Sequence, residues 1–301
     1  QESGLADSNG RLSQLRLEDD NQEKGHVTDH VLEDHLKSTE RLRASPEQHQ
    51  CQKEAEEDAD SLDDTGASGT PQKTEDHVDK QPDQPELYGY FPFGTENAKG
   101  YPIKDHKEFY HFYPWGRKPS TLSGATLELY DNLVNITSTL LDWIEKNTPR
   151  EIRSQFSEPL KNMIVGSQTN LLRVIHYPPF SGKEDNRSLR AAAHEDINLI
   201  TLLVAGTRPG LEAKDNNGKW HKITTDPGTI IVNIGDMLEE ASGGYYPSTT
   251  HRVVNPDNEA SNDSRYSMPL FLHPRNEVVL SEKYTAGKYL DERLEEIGLK
   301  D

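Results

Sequence analysis

Two histidines and an aspartate could together hold a metal ion. In His194-Glu195-Asp196, residues i and i+2 of an extended strand point to one face, so His194 and Asp196 can address a single point while Glu195 faces away. A neutral imidazole nitrogen and a carboxylate oxygen suit a borderline divalent cation. His251, in Ser248-Thr249-Thr250-His251, lies 55 residues beyond Asp196, far enough for a later strand to return beside the earlier one. Two His and one Asp on one face leave octahedral positions open, the ligand set of non-haem iron(II) sites that activate dioxygen. Each residue also has a plainer reading. The H-x-D spacing arises by chance, and a core histidine commonly bonds a backbone carbonyl.

A third feature shifts that balance. Arg265-Tyr266-Ser267 follows 14 residues after His251, and Arg265 and Ser267 again share a strand face. A guanidinium holds a carboxylate in a bidentate fork, and a hydroxyl can complete the grip. A buried arginine beside a metal needs an anion, and a 2-oxo acid would supply one.

These residues need a scaffold of strands. Strand-like stretches run over Leu171–Tyr177, Ile197–Val204, Leu211–Lys214, Trp220–Ile223, Thr229–Ile234, Ser248–Val254 and Arg265–Leu272. Many short strands with turn residues between them indicate a double-sheet roll. Before them, apolar positions from Leu122 to Lys146 recur at helical spacing, and Pro149 ends the run. Shorter helices are expected over Arg150–Phe156 and Glu158–Val165, a helix-like stretch over Met237–Glu240, and an amphipathic helix over 284–298. Aromatic residues are dense from Glu108 to Trp115.

Composition divides the chain. Residues 1–87 hold 23 acidic and 9 basic residues, so this segment carries −14 of the net −19. It has no aromatic residue, and between Arg43 and Glu86 its large apolar residues are Leu62 and Val78 alone. Such a segment cannot offset its ordering entropy. Residues 1–86 are therefore expected to be largely disordered, with one helix over 27–43. The remainder divides into a helical, aromatic-rich stretch, 87–165, and a roll with its closing helix, 166–301. The acidic balance argues against nucleic acid as a partner. No apolar window approaches the 18 residues of a membrane span. The single cysteine, Cys51, excludes an internal disulfide or a thiolate cluster, which fits a reducing, cytoplasmic setting.

The runs Leu171–Pro179, Ala193–Asn198, Pro209–Leu211, Val232–Asp236, Ser248–Pro256 and Arg265–Ser267 resemble, in order and spacing, the isopenicillin N synthase-like 2-oxoglutarate/Fe(II)-dependent dioxygenases. The resemblance covers about residues 87–300. It implies a mainly β fold with flanking α-helices, the double-stranded β-helix or jelly roll. It implies His194, Asp196 and His251 as Fe(II) ligands, and Arg265 and Ser267 as the grip on the far carboxylate of the cosubstrate 2-oxoglutarate. Tyr177 matches a tyrosine that contacts cosubstrate or substrate. The implied partners are dioxygen and a small-molecule substrate, with Tyr177, Phe271 and the Phe109–Trp115 stretch as pocket walls. Many plant members carry Asn where this chain has Ile175. Two other readings stand beside this one: an oxidase that does not use 2-oxoglutarate, with Arg265 holding a substrate carboxylate, and a non-catalytic β-roll binding module.

Overall fold

The computed structural model of the chain describes residues 13–14, 89–116, 118–119, 122–204, 206–224, 226, 228–257 and 262–297. The disorder and the helix expected within residues 1–86 fall outside the described residues, apart from Ser13–Gln14. Those two residues form β1 and pair antiparallel with Ile231–Val232.

The remaining strands are β2 (Gly89–Phe91), β3 (Glu108–Phe112), β4 (Leu171–Tyr177), β5 (Ala191–His194), β6 (Ile200–Val204), β7 (Leu211–Lys214), β8 (Trp220–Lys222), β9 (Ile230–Ile234), β10 (His251–Val253), β11 (Arg265–Ser267) and β12 (Pro269–Leu272). The helices are α1 (Ala125–Asn147), α2 (Arg150–Arg153), α3 (Leu160–Met163), α4 (Asp236–Ala241) and α5 (Ala286–Glu296). The strands form two antiparallel sheets. The larger runs β1-β9-β6-β12-β4-β3-β2, with β11 also paired to β4; the smaller runs β5-β10-β7-β8. This is the double-sheet roll expected from the strand spacing.

Alternation along β4 explains both faces of the large sheet. Leu172 and Val174 point into the core shared with α1, alongside Leu133, Leu141 and Leu270. Ile175 and Tyr177 point the other way, into a second cluster with Ala191, Leu211 and Val253 of the small sheet. Successive side chains of a strand face opposite sides, so one seven-residue run serves two cores. On α1, Ala125, Leu129, Leu133, Leu140 and Leu141 are buried, the stripe of a helix lying on a sheet. Pro149 holds Thr148 extended, at φ −75° and ψ 133°, and the helix stops there.

Several elements differ from the sequence expectation. The stretch Arg265–Leu272 breaks at Met268 into β11 and β12, so one part pairs with the C-terminal half of β4 while the other bridges β4 and β6. The helices after Pro149 and Pro159 last only four residues each. The first of them buries nothing, and a single turn without packing does not propagate. The aromatic stretch before α1 contributes β2 and β3, which pair with each other and, through β3, with β4.

At the start of α4 the chain passes very close to the loop after β5. A Cβ on Gly235 would lie 2.2 Å from the Asn198 carbonyl oxygen and 2.3 Å from its Oδ1. Only glycine permits this approach. The variant Gly235→Ala is expected to be destabilised by about 2 kcal/mol or more, since overpacking forces backbone shifts. An unchanged denaturation midpoint would refute the steric account.

Candidate metal and cosubstrate site

His194 and His251 are direct cross-strand partners in the pairing of β5 with β10. Their rings therefore project from one face, with centroids 4.4 Å apart. Asp196 lies beyond the end of β5, in the loop leading to β6. It thus reaches the two imidazoles from a loop, whereas the sequence spacing placed it on the strand with His194. One ligand atom from each of the three residues lies within 4.8 Å of the others. The Nε2 atoms of His194 and His251 stand 4.0 and 3.7 Å from Asp196 Oδ1.

The remaining polar atoms of the triad are already used. His194 Nδ1 donates to the Ala192 carbonyl at 2.7 Å, and His251 Nδ1 to the Thr249 carbonyl at 2.9 Å. Each bond fixes the tautomer that leaves an Nε2 lone pair free. Asp196 Oδ2 accepts from Thr201 Oγ1 at 2.5 Å and from Asn233 Nδ2 at 2.8 Å. Thr201 and Asn233 are themselves cross-strand partners on β6 and β9. Three ligand atoms remain aimed at a common point, so the donor set fits a divalent ion such as Fe(II). Burial raises the pKa of Asp196, but the two histidines and these hydrogen bonds outweigh it and hold the carboxyl below its ordinary value. Burial lowers His194 to about 4, and the neighbouring His251 adds to that shift. The imidazole is neutral, as a ligand must be.

Thr201 and Asn233 were not identified as site residues from sequence. Their signal was weak: a threonine five residues after Asp196 and an asparagine in a strand, read above only as part of Val232–Asp236. The expected consequence of Thr201→Val is a ferrous affinity roughly 10- to 100-fold weaker, the usual effect of removing an outer partner of a ligand. Chelator competition measures it. Unchanged affinity would show that Asn233 alone suffices.

Arg265 and Ser267 both face the cavity that holds the triad, about 330 Å³ in volume. On β11 they oppose Tyr177 and Ile175 of β4. Arg265 is fully buried. Its Nε donates to the Arg208 carbonyl at 3.0 Å, while Nη1 and Nη2 have no hydrogen-bond partner among the described residues. Its guanidinium stands 5.1 Å from the centre of the Tyr177 ring. Burial pushes its pKa below the ordinary value, and the Tyr177 phenol pulls it back. A Cβ on Gly206 would sit 3.1 Å from Nη2, so glycine keeps that end of the arginine clear. A buried guanidinium with both terminal nitrogens unpaired is costly unless an anion completes it. A carboxylate of 2-oxoglutarate fits this requirement. Ile175 is buried in the apolar cluster and offers no hydrogen bond there.

The cavity also contains a group of charges that the sequence reading did not single out. Glu96, Asp105, Lys107 and Arg173 all line it. Asp105 Oδ1 accepts the Ala192 N–H at 2.9 Å, which ties the strand carrying His194 to the loop before β3. The aromatic walls expected from sequence are partly present: Tyr177, Phe271, His111 and Tyr113 reach the cavity.

A two-sheet β roll holding an open His-Asp-His set beside a buried arginine defines the class of site. The comparisons agree with it. The family described as the 2OG-Fe(II) oxygenase superfamily matches residues 168–274. A crystal structure of a Shewanella oneidensis protein described as an oxygenase is 44% identical, with a TM-score of 0.68, over 85% of this chain and 89% of that one. A 2OG-Fe(II) oxygenase family protein of Caulobacter crescentus is 29% identical, with a TM-score of 0.61, over 82% and 85%. The 2-oxoglutarate-dependent dioxygenase citB of Monascus ruber is 33% identical over 124 residues, 40% of this chain and 36% of that protein. The chain belongs to the 2OG-Fe(II) oxygenase superfamily, whose members use Fe(II) and 2-oxoglutarate. Its alignments with the first curated relatives span between 30% and 39% of their lengths.

Proposed function

We propose that this protein couples decarboxylation of 2-oxoglutarate to the oxidation of a small molecule by dioxygen, as an isopenicillin N synthase-like oxygenase. The observation that carries the reading is Arg265, fully buried with two unpaired nitrogens, in the same cavity as the His194, Asp196 and His251 ligand atoms. Bound Fe(II) would supply the centre at which dioxygen is activated.

The chain's own residues do the rest. His194, Asp196 and His251 offer three preset ligand atoms on one side of the site, leaving the other side open. Arg265 neutralises the far carboxylate, with Ser267 and Tyr177 beside it. Leu290, Leu294 and Ile297, on and just after α5, line the cavity and help keep water out. The Lys99–Glu296 ion pair, 2.7 Å long, joins that helix to the loop before β3. The setting is a reducing one, supported by the single Cys51. No helix among the described residues is long and apolar enough to cross a membrane.

Anaerobic spectroscopy tests the reading. Fe(II) protein is expected to develop a visible charge-transfer band on addition of 2-oxoglutarate, and aerobic turnover to release succinate. A protein that consumes dioxygen with substrate yet shows neither would be an oxidase in which Arg265 grips a substrate carboxylate. Ile175, which removes one polar contact near Ser267, favours that second reading.

A further inference from the structure

We propose that the half of the cavity facing β3 and β4 receives a neutral, planar molecule presenting an amide-like edge, one hydrogen-bond acceptor beside one donor. The inference rests on the oxygenase reading above and names the substrate class of that same site.

Three buried charges and the partly buried Arg173 build this wall. Glu96, Lys107 and Asp105 are each less than a tenth exposed. Glu96 Oε1 meets both Lys107 Nζ at 2.6 Å and Arg173 Nη1 at 2.9 Å. Lys107 Nζ also meets Asp105 Oδ2 at 2.9 Å. Burial works against the Glu96 charge, but Arg173 and Lys107 outweigh it and hold the carboxyl far below its usual range. Two cations and two anions leave the wall neutral.

Its hydrogen bonding is incomplete. Because Lys107 and Arg173 share one oxygen of Glu96, the arginine makes a single bond rather than a fork. Glu96 Oε2 and Arg173 Nη2 have no hydrogen-bond partner among the described residues. Neither atom is sealed off, and both residues line the cavity. The two partners of one ion pair thus retain one acceptor and one donor between them. The walls around them are flat. The Arg173 guanidinium lies 4.4 Å from the centre of the Phe109 ring and 5.4 Å from that of Phe271.

Charge and hydrogen bonding then select among ligands. A carboxylate or an ammonium would bring an uncompensated charge into a neutral, enclosed wall. The metal side offers no surplus either, because Fe(II), Asp196, Arg265 and doubly charged 2-oxoglutarate also sum to zero. A hydrocarbon would leave Oε2 and Nη2 unsatisfied. A neutral amide edge completes both.

Isosteric probes test this with the full-length Fe(II)·2-oxoglutarate protein under nitrogen. Benzamide, benzoate, benzamidine and toluene share a size and differ in charge and hydrogen bonding. Calorimetry is expected to show benzamide binding at least roughly tenfold tighter than each of the others. Glu96→Gln makes the wall positive and should move the preference to benzoate; Arg173→Gln makes it negative and should move it to benzamidine. The proposal is overturned if benzoate or toluene binds the unaltered protein as tightly as benzamide, or if no probe binds. The 2-oxoglutarate band in the same samples separates the two readings. Its absence would overturn the oxygenase reading, whereas its presence with the wrong probe ranking overturns only the substrate class.

Discussion

Asp196→Ala is expected to weaken ferrous binding by roughly 10³-fold, about 4 kcal/mol, and to abolish dioxygen uptake. The carboxylate is the one anionic ligand of the triad, and its Oδ1 is the atom both Nε2 nitrogens face. Among the described residues, His194, Asp196 and His251 are the one cluster with metal-binding spacing. The cost to folding should be modest. The variant leaves Thr201 and Asn233 without their shared acceptor, at about 1–3 kcal/mol, but it also removes a buried negative charge that the metal-free protein must carry. Chelator competition and an oxygen electrode provide the measurements. Retention of iron at unaltered affinity would remove Asp196 from the ligand set.

The second large effect concerns Arg265, and two of its consequences have opposite signs. Arg265→Met should weaken 2-oxoglutarate binding by roughly 10²- to 10³-fold, the usual loss when one partner of a buried, hydrogen-bonded charge pair is removed. Arg265→Lys should fall between, because an ammonium keeps the charge and loses the fork. Without ligand, however, the Met variant should be as stable as the parent protein or more so. The parent buries a guanidinium whose Nη atoms lack hydrogen-bond partners among the described residues, and a methionine of similar bulk avoids that cost. Thermal melts with and without 2-oxoglutarate read both effects. The parent should gain about 2.7 kcal/mol at a ligand concentration 100 times its Kd, and the variant nothing. A variant that melts well below the ligand-free parent would mean that Arg265 is chiefly structural.

The core strand β4 was readable to the residue, because Leu171–Tyr177 is a β-rich run stopped by Pro178-Pro179. The jelly roll and the family were legible for the same reason: short strands and motifs recur in order. Finer features depended on tertiary pairing. Nothing local marks Met268 as the break between β11 and β12, which arises because the two halves of that run have different neighbours. The stretch from Glu108 to Phe112 stood out only for its dense aromatic residues, and it forms β3 through its pairing with β4. The convergence of His194 with His251 was anticipated from strand spacing, but the loop position of Asp196 was not, because i, i+2 geometry assumes that the strand continues. Glu96, Asp105 and Lys107 were not singled out from sequence. Only their mutual pairing in the fold removes them from water.

The place of β4 in the sheet bears on how the protein can be divided. The superfamily match begins at residue 168, just before this strand, yet β4 is an interior strand with β3 on one side and β11 and β12 on the other. A fragment cut at the edge of the match would expose an unpaired strand edge. It would also lack Glu96, Lys107 and Asp105, and with them the bond that tethers Ala192 two residues before His194. The region matched by the superfamily and the unit that can fold are therefore different objects here. The His194, Asp196 and His251 cluster and Arg265 sit within one and depend on the other.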